Sequence, residues 1–337
     1  MTAVGPVDPA TVRVGFIGLG NVGGKLAGSL LRNGIAVVAR DLDTALVDHF
    51  VALGAVAAES PMAVAEQCDV VITCLPSPAA SAAVMEADDG VIAGLRPGTV
   101  WMEMSTTDSA EITRLGALVV AAGGSAVDCP VSGGCHRAAT GNISIFAGTD
   151  RPTFERVLPL LTILGRRVLH TGDLGSASVL KVATNYLATA NLIAVTEALT
   201  TMAAAGVDLA TTYEAFRISS GNSFVHETEG QVILNGSRDI NFTMDLVKKD
   251  IGLFQSMADQ ATRTRRSAPQ LPLAPCRRGG TEEGSPSPDA ACARQRQAPL
   301  GLAPREGPGG APAGAYSLVR ARASVSGAKP TVIEILS

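Results

Sequence analysis

Cysteine and histidine are sparse and scattered in this chain. Its 337 residues hold six cysteines, at 68, 74, 129, 135, 276 and 292, with no CxxC pair, and four histidines. Neither a disulfide framework nor a metal site is expected, and a reducing compartment is. Aromatic residues make up only 4% of a chain that is 46% hydrophobic, a composition that suits a soluble α/β protein packed closely with small side chains. The opening MTAVGPVDPAT lacks a charged n-region and an apolar h-region, so no signal peptide is expected and the expected location is cytoplasmic. Basic charge is scarce where a fold is legible: residues 1–260 hold 16 Lys/Arg against 26 Asp/Glu. That balance gives no reason to expect nucleic acid as a partner.

What is present is an alternation of strand and helix. Val12–Ile17 is a β-rich run that ends in Gly18-Leu19-Gly20-Asn21-Val22-Gly23, followed by an Ala/Leu-rich helix from Gly24 to Arg32 and a second strand, Ile35–Ala39. A GxGxxG alone is weak, but between a strand and a helix it marks a dinucleotide turn. Gly18 permits the tight bend, Gly20 lets backbone approach a pyrophosphate, and Gly23 lets helix and strand pack closely. The helix N-terminus then offers N–H groups and a positive dipole to the phosphates. Asp41 follows the second strand, where a carboxylate can accept the ribose hydroxyls of NAD and repel the 2′-phosphate of NADP. Its neighbour Arg40 could instead pair with that phosphate, so NAD is expected and NADP stays possible.

Asp69–Leu75 and Thr99–Met104 read as buried parallel strands. Ligands sit beyond the carboxyl ends of such strands, which places Leu75, Pro76, Ser105 and Thr106 on the nicotinamide side. Ser105 and Thr106 could equally cap the helix that starts near Asp108. Ser132-Gly133-Gly134 is a turn whose successive N–H groups suit a carboxylate or phosphate. Further strands are expected at 143–147 and 167–170, with a helix over 151–164.

The stretch from Gly172 to Gly206 has no proline and no glycine between Gly175 and Gly206, and predicts a helix of about 30 residues, some 45 Å long. Apolar residues nearly all the way round it predict burial on several sides. Thr184, Asn185, Thr189, Asn191, Thr196, Glu197, Thr200 and Thr201 are too many polar groups for lipid, so no membrane is expected. Lys181 sits near its start, with Asn185 one turn later on the same face.

Taken together, GFIGLGNVGGKLA, DVVITCLP, MEMSTTD, DCPVSGGCHRAATGNISIFAG, GSASVLKVATNYL and VKKDIGLF resemble the β-hydroxyacid dehydrogenases, the family of 3-hydroxyisobutyrate dehydrogenase. The resemblance covers about residues 11–260. It implies an α/β Rossmann-type doubly wound sheet over 11–173, followed by an all-α second domain over 174–260 that the long helix introduces. It implies an NAD(P)-dependent oxidoreductase acting on a small β-hydroxy acid or its semialdehyde, and a homo-oligomer, dimer or tetramer, if the helical domain is intact. Lys181 and Asn185 match the catalytic motif, Ser132, Gly133 and Gly134 the substrate-carboxylate loop, Pro76 and Thr106 the cofactor-side loops. Lys249 matches a lysine that reaches the cofactor from the second domain. The chemistry agrees, because hydride transfer to a carbonyl leaves alkoxide charge that an ammonium can neutralise and protonate.

Two features depart from that pattern. His136, Arg137 and His226 are either readers of a second polar group on the substrate or surface residues. From about Ala261 the chain turns Pro/Arg/Gly-rich, with ten of the nineteen prolines and no sustained periodicity, where the family has core helices. The tail 261–337 reads as largely disordered over 265–330, with a short strand at Thr331–Leu336. Absent helices should leave Val195, Leu199 and Met202 uncovered. A non-catalytic dinucleotide-binding or interaction protein on the same scaffold is the alternative reading.

Overall fold

A computed structural model describes residues 5–236, 242–267, 318–322 and 332–336, with side chains through Ala261. Short apolar runs, most of them buried, become the strands of one sheet. They are β1 (Arg13–Ile17), β2 (Ala36–Arg40), β3 (Val56–Ala57), β4 (Val70–Thr73), β5 (Val100–Glu103), β6 (Ser125–Asp128), β7 (Val131–Ser132), β8 (Ile143–Gly148) and β9 (Gly165–Gly172). Two more, β10 (Leu318–Arg322) and β11 (Val332–Leu336), come from the tail. The order is β11-β10-β9-β8-β6-β5-β4-β1-β2-β3, with β7 paired to β8. From β3 to β6 all pairings are parallel, and β6 meets β8 antiparallel through one residue pair, Asp128 opposite Gly148.

Helices cover both faces: α1 (Gly23–Arg32), α2 (Thr44–Ala52), α3 (Pro61–Gln67), α4 (Pro78–Glu86), α5 (Val91–Gly94), α6 (Ser109–Ala121), α7 (Gly134–Ala139) and α8 (Arg151–Leu164). Side chains alternate across a strand, so β1 sends Val14 and Phe16 to one core, with Leu26, Leu30 and Phe154, and Ile17 to the other, with Val71, Trp101 and Ile112.

Between β9 and Ser267 the described residues are helical: α9 (Ser176–Ala204), α10 (Leu209–Arg217), α11 (Phe224–Asn235) and α12 (Met244–Ser267). The 29-residue α9 is the long helix read from sequence, and by length and composition it could cross a bilayer. Its burial differs from the expectation. Ala177, Ser178, Lys181, Val182, Val195 and Leu199 are buried, whereas Leu187 is 56% and Ile193 55% exposed. The sheet packs against its first turns and α10 and α11 against one side further along, so a helix apolar all round keeps open faces. Val195 and Leu199, expected to lack partners, are covered.

In the tail, β11 falls where a terminal strand was expected. β10 departs from the disordered reading by pairing antiparallel with β9, whose outer edge would otherwise present unpaired N–H and C=O groups. Residues 268–317 and 323–331 lie outside the described residues, and with them most of the stretch expected to be disordered.

Candidate functional site

The site lies at the carboxyl ends of β1, β4, β5 and β6. Gly18 turns the chain after β1 with φ +96°, and a Cβ there would run into the Cys74 carbonyl oxygen. A Cβ on Gly23, the first residue of α1, would strike the Gly18 carbonyl oxygen, while one on Gly20 would meet nothing within 4 Å. No side chain caps α1. The turn is therefore closed to side chains where it packs on β4 and open at Gly20, beside an uncapped helix N-terminus, which fits a dinucleotide pyrophosphate. Asp41 braces this turn: its Oδ2 accepts the Leu19 N–H at 2.6 Å and its Oδ1 the Asp43 N–H at 2.9 Å. The Arg40 guanidinium folds back to donate to the Asp41 carbonyl oxygen.

On the next two loops, the Ser105 hydroxyl oxygen accepts the Leu75 N–H at 2.6 Å, and Ser105 N–H donates to Glu103 Oε1 at 2.9 Å. The capping alternative for Ser105 and Thr106 falls away, because Asp108 caps α6 by accepting the Glu111 N–H at 2.8 Å. Pro76 leads into Ser77, which caps α4. The Thr106 carbonyl accepts Lys249 Nζ at 2.8 Å, so α12 reaches the loop that follows β5.

Lys181 is buried, and its Nζ donates to Asn185 Oδ1 at 2.7 Å. Asn185 Nδ2 donates in turn to Asp250 Oδ2 at 2.6 Å, and Asp250 Oδ1 lies 2.9 Å from Lys249 Nζ. Burial pushes the Lys181 ammonium down to about 8, with Asp250 pulling it up and Lys249 pushing it further down. Asp250 escaped the sequence reading, although the signal was there: it directly follows the motif lysine in VKKD. Ser132 pairs with Ser144 across the β7–β8 ladder, and Gly133 and Gly134 form the turn into α7, with φ +128° and +80° and no side-chain cap. Successive N–H groups in a turn of this kind suit an anion.

The three departures separate. His136 and Arg137 are exposed, and the Arg137 guanidinium lies 4.5 Å over the Phe224 ring. His226 is not a surface residue. It is fully buried, its Nε2 pairs with the Tyr213 carbonyl at 2.9 Å, and its ring lies against that of Tyr213. Tyr213 and Phe216 of α10 enclose it from the side.

A glycine turn at the carboxyl end of a central Rossmann strand, together with a buried lysine at the start of the helical region, is the arrangement of an NAD(P)-dependent oxidoreductase. The comparisons narrow the class. Residues 13–172 match the NAD binding domain of 6-phosphogluconate dehydrogenase, and residues 175–271 the NAD-binding region of NADP-dependent 3-hydroxyisobutyrate dehydrogenase. The chain is 34% identical to 2-(hydroxymethyl)glutarate dehydrogenase of Eubacterium barkeri over 72% of its own length and 81% of the relative's. It is also 34% identical to the NAD-dependent L-serine dehydrogenase of Pseudomonas aeruginosa, over 73% and 85%. A crystal structure of 3-hydroxyisobutyrate dehydrogenase from Salmonella typhimurium matches with a TM-score of 0.68 at 31% identity, covering 75% of this chain and 88% of that one. The chain belongs to the β-hydroxyacid dehydrogenase family.

Proposed function

We propose that this chain oxidises the primary hydroxyl of a small β-hydroxy acid with NAD, and reduces the matching semialdehyde, with Lys181 as general base and acid. The observation that carries the reading is a buried lysine bonded to Asn185 and held at about 8, where it exchanges a proton near neutral pH. Bound NAD, on the turn Gly18–Gly23, supplies the hydride acceptor. The remaining work falls to the chain. Ser132, Gly133 and Gly134 hold the substrate carboxylate, Lys181 takes the hydroxyl proton, and Asn185 orients the amine. Leu75, Pro76, Thr106 and Lys249 line the nicotinamide side. The named substrates of the relatives support the class, since serine, 3-hydroxyisobutyrate and 2-(hydroxymethyl)glutarate share the unit HOCH2–CH(R)–COO− and differ in R. Turnover with NAD and NADP against these three, D-glycerate, 4-hydroxybutyrate and glycolate tests the reading. Inactivity on every HOCH2–CH(R)–COO− acid would refute it.

Asp41 favours NAD, because its carboxylate sits on the glycine turn and Arg40 is occupied at the Asp41 carbonyl. Asp41→Ser is expected to narrow the ratio of NAD to NADP efficiency by at least about tenfold, the effect of removing one like-charge contact. A wild type that prefers NADP would show that Arg40 dominates.

The domain limits 11–173 and 174–260 belong to the same reading, as does a cytoplasmic enzyme whose α9 stays out of lipid. A second copy of this chain is the proposed cover for Leu187 and Ile193. Light scattering at micromolar concentration should give at least a dimer mass, and a monomer would remove that proposal.

A further inference from the structure

Asp128 ends β6 fully buried and takes no part in the proton transfer above. Its carboxylate reaches a residue fifty positions on: Oδ2 accepts the Ser178 N–H at 2.7 Å and Oδ1 the Ser178 hydroxyl at 2.8 Å. Ser178 lies in the first turn of α9, whose N-cap residue, Gly175, has no side chain to cap with. The sheet supplies the cap instead, and with it a negative charge at the helix N-terminus. Lys181 stands three residues beyond Ser178, and Ser132 four residues beyond Asp128. One side chain thus joins the carboxylate turn to the lysine helix.

The seat is tight. Gly148 pairs with Asp128 across the sheet, and a Cβ on Gly148 would lie 2.8 Å from Ser176 Oγ and 3.1 Å from Ala177 N, so the first turn of α9 rests directly on this rung. Among the described residues no Lys or Arg pairs with Asp128, and Glu103, its register partner on β5, is buried beside it. Burial pushes the Asp128 carboxyl up to about 6 against the two Ser178 bonds and the Gly175 backbone N–H that lower it, and Glu103 adds to the rise. An apolar side chain would fill this space at far smaller desolvation cost. Packing alone therefore does not account for a carboxylate here.

We infer that Asp128 is a positioning residue for the reaction: through Ser178 it sets the height of α9 against the sheet, and so the distance from Lys181 Nζ to a carboxylate held on Ser132, Gly133 and Gly134. The inference rests on the roles proposed above for Lys181 and that turn. A proton-transfer group displaced by about 1 Å loses on the order of a hundredfold in rate.

The test compares full-length Asp128→Ala, Asp128→Asn and Ser178→Ala with wild type. It reads kcat and KM on the best substrate from the screen, the NAD Kd, and hydrogen exchange over residues 176–182. Asp128→Ala is expected to lower kcat by at least about tenfold, with NAD Kd within about threefold and faster exchange in 176–182. The asparagine amide can accept the Ser178 N–H and donate to the Ser178 hydroxyl, so Asp128→Asn should recover kcat to within about threefold of wild type. Ser178→Ala removes only the 2.8 Å bond; it should fall between the two, and it decides the matter if Asp128→Ala does not fold. Unchanged kcat in the alanine variants, or kcat and NAD affinity falling together, overturns the inference. A wild type inactive on all substrates would instead sink the functional reading, and exchange over 176–182 would then show whether Asp128 fixes α9: faster in Asp128→Ala supports it, unchanged overturns it.

Discussion

Lys181→Ala is expected to lose at least about a hundredfold in turnover while NAD binding stays within about threefold, because general acid–base help is worth two to four decades and the lysine lies outside the dinucleotide turn. The pH dependence separates proton transfer from packing. Lys181 is held at about 8, below its ordinary 10.5. Oxidation of the hydroxy acid needs the neutral amine, so its kcat/KM should rise as pH rises through about 8 and level off above. Reduction of the semialdehyde needs the ammonium, so its rate should fall over the same window. The alanine variant should lose both inflections along with its rate. Near-normal turnover in that variant, or an inflection near 8 that survives in it, would take Lys181 out of the mechanism.

The second large effect belongs to the glycine turn. Gly18→Ala would place a side chain against the Cys74 carbonyl at a φ of +96°, an arrangement that costs about 1–3 kcal/mol in backbone strain before the clash is counted. The thermal midpoint should fall by at least about 2 °C, taking 2–4 °C per kcal/mol for a unit of about 150–250 residues, and NAD binding should be lost with it. Gly20→Ala is the contrast, since its Cβ meets nothing within 4 Å. Its melt should stay within about 1 °C of wild type, while NAD affinity drops at least about tenfold because the methyl takes the room the pyrophosphate needs. Equal melting losses in the two variants would show that the turn is merely a tight corner.

How far the site could be read beforehand follows from the range of each interaction. The glycine turn, the buried strands and the Lys181–Asn185 pair are local patterns, spaced by the pitch of a strand or a helix, and the structure places them where the sequence did. The contacts that organise them are not local. Asp128 meets Ser178, and Asn185 meets Asp250 sixty-five residues away. Glu103 read as one more strand residue, and only the register Thr73–Glu103–Asp128 aligns it in a polar row at the carboxyl ends of β4, β5 and β6. His226 failed for a related reason: its run, GNSFVHE, is polar enough to pass for surface, and its burial depends on where α10 packs. The long helix shows the opposite limit. Its composition announced an element apolar all round, but composition cannot say which faces the rest of the chain covers.

Exposed α9 also meets water on unusual terms. The hydroxyls of Thr196, Thr200 and Thr201 donate to the carbonyls of Leu192, Thr196 and Glu197, each at 2.8 Å. With their protons spent inside the helix, these exposed threonines turn methyl groups outward and keep only oxygen lone pairs for solvent. Beside Ile193, the helix surface wets less well than a count of its polar residues suggests. The water lying there is weakly held, and whatever surface settled on it would displace that layer at small enthalpic cost.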